Sequence, residues 1–563
     1  MNRFDWLQII IFVAALVALA KPLAGYIAAA LEDSSPAQNR IFGACERFLY
    51  RLCGINPSEQ MTWRTYTWAL LAFNFAGMLL LLFIELLQHR LPLNPNKMGA
   101  VDFWLAFNTA ASFTTNTNWQ AYSGETTMSY LTQMLGLCSH NFLSAATGIA
   151  VFAAMARGLI GKQVNTLGNY WADMTRITLR ILLPLSIILA LALAWQGVPQ
   201  TLKSNVPVTT IEGAQQTLPL GPVASQIAIK QLGTNGGGFY NANSAHPYEN
   251  PTPLTNLLEM ISMFLISAAL VLAYGKMTGN RNQGRTLFAV MFAMFAVGLA
   301  VSLWSEYSSI GAAGGAAVME GKETRFGITN SVLWSVVTTD TSTGAVNCMH
   351  SSLSPLSGGV AMFNIMLGEL IFGGVGEGMY SMLLFVLLTV FLCGLMVGRT
   401  PEYLGKKIEK REIQMAIVGT LAPGAVILIG SALTCAVPSA LACLSAKGPH
   451  GLSEILYAWT SSTGNNGSAF AGLNANTNFF NIGLALAMLA GRFAVIVPCL
   501  AIAGSMGVKQ SCPPSAGTLP TDTPTFGVLL VGVILIVAGL TFFPALALGP
   551  GIEHLLMLKG VAF

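Results

Sequence analysis

Thr234-Asn235-Gly236-Gly237-Gly238-Phe239 follows Val223–Leu232, a semi-apolar piece that reads as a helix. A bilayer crossing takes about 20 residues, so that piece is too short to span. A short helix leading into a polar Thr/Asn/Gly run is the pattern of a re-entrant pore loop. The chain repeats the pattern three more times. The pieces 101–113, 331–338 and 452–460 precede Thr115-Asn116-Thr117-Asn118-Trp119-Gln120, Thr341-Ser342-Thr343-Gly344-Ala345-Val346 and Gly464-Asn465-Asn466-Gly467-Ser468-Ala469. Four copies of one unit are implied. Aligned without gaps, the runs collect Asn118, Gly237, Gly344 and Gly467 in their fourth column. Gly and Asn tolerate positive φ best, so a strand-like run can turn its carbonyl oxygens toward an axis at those points. Four such runs would make a ring of carbonyls.

Non-helical backbone at membrane depth is costly unless it lines a watery path or lies buried in protein. The runs therefore point to a pore. None of them contains a carboxylate, and ligation by carbonyl and threonine oxygens alone suits a weakly hydrated monovalent cation. A divalent ion would usually require carboxylates. The candidate cation-binding residues are Thr115, Asn116, Thr117, Asn118, Thr234, Asn235, Gly236, Gly237, Thr341, Ser342, Thr343, Gly344, Asn465, Asn466 and Gly467. Ordinary outer loops are also rich in turn formers, but four copies in matching topological positions argue against that reading.

The rest of the chain supports a membrane protein. Of 563 residues 53% are hydrophobic and 9% are charged, where a soluble domain carries roughly 25% charge. The mean hydropathy is +0.61. Apolar stretches long enough to span run over 6–31, 66–87, 129–155, 177–195, 254–274, 287–304, 363–396, 415–437, 480–502 and 526–548. The fold class is thus an all-α polytopic membrane protein with about ten transmembrane helices. Four helix, pore-loop, helix repeats surround one pore, with an extra helix at each end. The units fall at 1–31, 60–160 for repeat one, 170–278 for repeat two, 284–400 for repeat three, 410–505 for repeat four, and 525–549. A signal peptide is the alternative for the first stretch, since Arg3 precedes it and Ala28-Ala29-Ala30 resembles a cleavage site. Lys21 and Pro22 followed by a second apolar turn fit a retained helix with a snorkelling lysine better.

Orientation follows from positive charge in the connections. Arg40, Arg47, Arg51, Arg64, Arg157, Lys162, Arg176, Arg180, Lys276, Arg281, Arg285, Arg399, Lys406, Lys407, Lys410, Arg411 and Lys509 mark one side as cytoplasmic. Arg90, Lys97, Lys203, Lys230, Lys322, Arg325 and Lys447 are spread more thinly through longer connections, which should face outward with both termini. The run 406–411 could also bind anionic lipid or a partner's acidic face, but it reads first as a solvated topology determinant.

With 28 basic against 24 acidic residues the net charge of +4 gives no argument for nucleic acid. The nine cysteines form no C-x-x-C pair and no H-E-x-x-H occurs, so neither a redox motif nor a zinc site has support. Cys435 and Cys443 fall near one outer connection, where a disulfide stays open. The cytoplasmic connections are short and hold neither a phosphate-binding loop nor a kinase signature, so any energy source must come from another chain. An intramembrane enzyme is strongly disfavoured too, because no nucleophile and base pair or set of metal ligands on facing spans is apparent.

On the strings TNTNWQ (115–120), TNGGGF (234–239), GAVN (344–347), STGNNGSAF (462–470), GRTPEYLGKK (398–407) and GELIFGGVGEG (368–378), the chain resembles the superfamily of potassium transporters. Within it, the closer resemblance is to the potassium-binding A subunits of Kdp-type potassium-transporting ATPases. The resemblance covers nearly the whole chain. It implies K+ as the transported ion and the role of ion-selecting, non-hydrolytic subunit in an ATP-driven high-affinity uptake complex of the bacterial inner membrane. It also implies three partners: a P-type ATPase catalytic subunit, a single-span accessory subunit with a soluble domain, and a small single-helix peptide. The alternative is a passive potassium channel or ion-coupled symporter on the same fold. Two residues depart from the pattern: Thr343, where some relatives have Cys, and Glu377, charged within a glycine-rich break.

Seven further residues are candidates for the gate or ion path. Glu369 lies inside a long apolar stretch, where an ionisable residue usually faces a cavity or a charged partner; the resemblance places it near the path between the two large subunits. Gly373, Gly374 and Gly376 interrupt that stretch beside Glu377. A glycine costs roughly 1 kcal/mol in a helix interior, so the stretch should break into two helices with a gate between them. Arg399 reads equally as a topology determinant or, by the resemblance, as part of the gate or a subunit contact. Gln120 could touch ion-bound water or pack behind the first run. Trp119 and Phe239 should buttress the runs. Asp340, just before the third run, could add field at the entrance, but reads first as a capping or solvated carboxylate.

Overall fold

The computed structural model describes residues 1–312, 319–396, 398, 400–513 and 518–561. Among them, ten helices are long and apolar enough to cross a membrane: Arg3–Leu31, Trp63–Arg90, Thr132–Ile160, Tyr170–Trp195, Pro253–Met277, Arg281–Ser309, Glu377–Met396, Lys410–Ala436, Asn478–Gly507 and Pro524–Met557. They are called the first to tenth spans. Their starts are written locally. Hydroxyls of Thr62, Thr252, Thr477 and Thr523 accept from N–H groups of the first turn in the second, fifth, ninth and tenth spans. Pro253 and Pro524 occupy opening positions where no N–H is needed.

Four shorter helices, Phe103–Thr114, Val223–Leu232, Gly327–Asp340 and Gly448–Thr463, follow the second, fourth, sixth and eighth spans. These are the pore helices of four repeats around one pore, and the first and tenth spans stand outside the repeats. The third and fourth pore helices are longer than their apolar pieces suggest, because polar residues beyond those pieces, such as Thr329, Thr339 and Ser462, are buried along them. The third span is innermost, with 144–156 buried without interruption and built largely of Ala, Gly and Ser. Small side chains let neighbouring backbones approach, which is how helices pack where lipid offers no hydrophobic drive.

The predicted 363–396 stretch is broken. A half-helix, Pro355–Met366, ends before the break, and the seventh span begins at Glu377. Between them Gly368, Glu369, Phe372 and Gly376 all have positive φ, at 78°, 59°, 47° and 89°. A helix and two hairpins have no counterpart among the elements expected from sequence. An amphipathic helix, Pro36–Leu52, connects the first two spans, burying Gln38, Glu46 and Tyr50 while exposing Ile41, Phe48 and Leu52. Two small antiparallel hairpins pair Val206–Thr209 with Gln215–Leu218 and Glu402–Tyr403 with Lys406–Lys407.

Several charges assigned to solvated connections are buried instead. Arg180 is bonded through Nε and Nη2 to Glu46 at 2.5 and 2.7 Å and through Nη1 to Asp33 at 3.0 Å. Arg157, half-buried, pairs with the buried Asp173 at 2.6 Å. Lys322 pairs with Glu306 at 3.1 Å. Lys406 has no solvated head: its ammonium donates to the carbonyls of Gly158 at 3.0 Å, Met506 at 2.8 Å and Gly161, tying the ends of the third and ninth spans together. Lys406 thus sits where two helices end, and a cation there satisfies terminal carbonyls that have no partner within the helix. All nine cysteines are free, Cys435 and Cys443 included.

Candidate functional site

The four polar runs begin where the pore helices end and lead back toward the next span. Fourth-column residues Asn118, Gly237, Gly344 and Gly467 have φ of 54°, 70°, 81° and 95°. In three runs the second column is also positive, at Asn116 (69°), Ser342 (47°) and Asn465 (49°). The second run differs, with positive φ at Thr234 (49°) and Gly236 (66°). Alternating φ sign turns successive peptide groups to one side of the chain.

Contacts between runs close a ring. A Cβ added to Gly467 would collide with the Thr117 carbonyl oxygen. Asn118 Nδ2 donates to the Gly236 carbonyl at 2.9 Å. A Cβ on Gly236 would strike the Thr343 carbonyl, and one on Gly344 the Asn466 carbonyl. The fourth run thus meets the first, the first the second, the second the third, and the third the fourth. Side-chain amides tie the ring further. Asn116 Nδ2 donates to Thr234 O at 2.9 Å, Asn235 donates to Asn116 Oδ1, and Asn465 Nδ2 donates to Thr117 Oγ1 at 2.9 Å. Thr115 and Thr117 hydroxyls bond at 2.8 Å, and Thr341 and Thr343 repeat this at 2.6 Å. Thr343 therefore takes the place in run three that Thr117 takes in run one. The ring presents oxygens and amides only, and among the described residues no cluster of three or more His, Cys, Asp or Glu could hold a metal ion.

Around the ring, Gln120 spans two runs. Its Oε1 accepts from Gly238 N at 2.7 Å and its Nε2 donates to Gly238 O at 3.1 Å. Trp119 and Phe239 are buried among apolar side chains behind the first and second runs. Trp334 Nε1 donates to Ala345 O at 2.8 Å and braces the third. Asp340 is neither a cap nor solvated: it is buried at the end of the third pore helix and neither carboxylate oxygen has a protein partner. Lys230, counted from sequence as an outward loop charge, is buried on the second pore helix with its ammonium against the Gly237 carbonyl.

The break in the seventh span lies against this ring. Val375 N donates to Thr234 Oγ1 at 2.9 Å. Gly376 packs on the Gly148 carbonyl, and Gly148 on the Val375 carbonyl, so any side chain at either place would force the third span away. Glu369 and Glu377 are both buried. Glu377 forms an ion pair with Arg492, whose Nη2 also donates to Ser144 O at 3.2 Å. Ser144 Oγ in turn donates to Asn116 Oδ1 at 2.8 Å and accepts from Asn235 Nδ2 at 3.1 Å. A polar line thus runs from the first two runs to Glu377. Gly373 and Gly374 lie against Glu369 within the break. Arg399 lies outside the described residues. The sequence reading missed Arg492, although one signal was available: it is the one charged residue inside the ninth apolar stretch, 480–502.

Comparison with known proteins adds independent findings. The family profile described as the potassium-transporting ATPase A subunit matches residues 10–555. A potassium-transporting ATPase potassium-binding subunit from Rhodospirillum centenum is 56% identical, over 99% of this chain and 98% of its own. Another so named, from Mesorhizobium japonicum, is 54% identical over the full length of both. The crystal structure of the potassium transporter TrkH from Vibrio parahaemolyticus superimposes with a TM-score of 0.53 at 14% identity, covering 88% of this chain and 98% of that one. At that identity the likeness speaks for the shared fold alone.

Proposed function

This chain belongs to the family of potassium-transporting ATPase A subunits, and from that premise we propose that it is the potassium-selecting subunit of an ATP-driven potassium uptake complex. It binds K+ from the outer side in the four-run filter and hands it to a P-type ATPase subunit. The observation that carries this reading is the closed contact circuit of the four runs, from Gly467 on Thr117 round to Gly344 on Asn466. Oxygens held by neighbouring backbone cannot collapse onto a smaller ion, so they replace the hydration shell of a larger, weakly hydrated one at less cost.

Below the ring the broken span acts as the inner barrier. Val375 is fastened to the second run, and the Arg492 guanidinium stands in the polar line beneath it. Its ion pair with Glu377 anchors the broken span under the ring, which closes a straight inward exit and favours a lateral one toward the catalytic partner. The sequence contains no phosphate-binding loop, so hydrolysis is assigned to that partner. A single-span accessory subunit and a single-helix peptide complete the assembly, in the bacterial inner membrane with both termini outside.

Affinity purification from native membranes is the test. A co-purifying P-type ATPase whose activity rises with K+, with none in the isolated chain, is the expected result. A lone oligomer that passes K+ without ATP would instead favour a passive channel or symporter.

A further inference from the structure

We propose that Lys230 is a positioning residue that holds the second filter run in a shape different from the other three, making the ring asymmetric. This rests on the filter reading above. Lys230 stands four residues before Thr234, and the same place in the other repeats is taken by Ala111, Val337 and Thr460. Only the second repeat places a charge there. The side chain is 1% exposed. Its ammonium donates to Gly237 O at 2.7 Å, Glu249 Oε2 at 2.6 Å and Asn243 Oδ1 at 3.0 Å, with Ser244 Oγ farther off at 3.4 Å. Three short bonds use all three ammonium protons.

The bond to Gly237 engages a fourth-column carbonyl, and among the described residues it is the only one of the four bonded to a charged side chain. That carbonyl is turned toward the lysine and is lost to a cation in the pore. The backbone agrees. In the second run positive φ falls at Thr234, Gly236 and Gly237, whereas the other runs take it in the second and fourth columns. The neutralising partner fixes the far side of the run, since Glu249 Oε1 accepts from Tyr240 N at 2.9 Å. The pair therefore clamps the helix before the run to the segment after it. Because Glu249 cancels the charge, the ammonium shapes the filter without repelling the ion.

The test measures ATP-driven K+ and Rb+ uptake by the full complex in proteoliposomes. Lys230→Met combined with Glu249→Gln removes both charges and leaves no unpaired ion. It should raise KM for K+ about tenfold and narrow K+ over Rb+ discrimination while holding the maximal rate within about twofold. Lys230→Arg, which keeps a donor at the carbonyl, should stay within about threefold of the parent KM. Gly344→Ala serves as the filter reference. If it loses discrimination while the double variant keeps parental KM and discrimination, the role of Lys230 is overturned and the filter stands. If neither variant changes KM or discrimination, the filter reading itself falls. Should the double variant not assemble, Glu249→Gln alone leaves an uncancelled charge behind the run and should raise KM at unchanged maximal rate; a parental KM there also overturns the proposal.

Discussion

The backbone N–H of Val375 donates to the hydroxyl of Thr234 at 2.9 Å, joining the break in the seventh span to the first residue of the second polar run. On the proposed function, ion selection and inner closure are thereby mechanically connected: a shift of the second run on binding an ion would pull on the break, and a shift of the break would pull on the run.

That connection predicts a leak. Gly376 has φ of 89°, and a Cβ there would strike the Gly148 carbonyl. Gly376→Ala must move the break or the third span, which should open the barrier. Proteoliposomes carrying the variant complex should pass Rb+ without ATP. A tight variant that still pumps would make the segment a structural kink only.

The fourth-column glycines should differ in sensitivity. A Cβ on Gly344 meets the Asn466 backbone, whereas one on Gly237 meets side-chain atoms of Asn118 and Gln120 at 3.1 Å. Side chains yield more readily than backbone. Gly344→Ala should therefore lose potassium uptake more severely than Gly237→Ala. Gly237→Asp, which adds a carboxylate as well, should shift preference toward smaller, harder cations. Competition by Rb+ and Na+ against K+ reads both effects.

Arg492→Met would leave Glu377 buried without its partner. Breaking a buried pair this way costs about 3–5 kcal/mol, much of it the stranded charge. Thermal unfolding in detergent should show a strong loss, and adding Glu377→Gln should recover most of it. Equal instability of the single and double variants would assign Arg492 a packing role instead.

His350, on the connection after the third run, hydrogen-bonds through Nδ1 to Tyr457 at 2.7 Å, and Tyr457 bonds to Ser468 at 2.8 Å. Burial pushes the His350 imidazole down to about 4. An unfolded histidine titrates near 6.5, so between these values the unfolded chain binds a proton that the folded chain refuses. Stability is complete above about pH 6.5 and declines as pH falls toward 4, by about 3 kcal/mol at the limit. His350→Gln should flatten that dependence in melting curves taken across this range.

The spans, the four pore helices and the break in the seventh span were legible in the sequence because each depends on residues close together in the chain. Apolar length identifies a crossing, Thr before Pro253 or Pro524 sets a helix start, and glycines at 368–378 cannot sustain a helix. The positive φ of Asn118, Gly237, Gly344 and Gly467 was legible for the same reason, since tolerance of that conformation is a property of one residue. The partners of buried charges were not. Arg492 and Glu377 lie more than a hundred residues apart, and nothing near either one names the other. Lys230 and Lys406 read as loop charges because a lysine's burial is decided by carbonyls and carboxylates brought from elsewhere, Gly237 and Glu249 for one, Gly158 and Met506 for the other. Local backbone preference chose the shapes of the runs. Only tertiary packing decided which atoms of the runs touch around the ring and which charges stand behind it, because the desolvation of an ion is offset solely by groups that folding delivers to it.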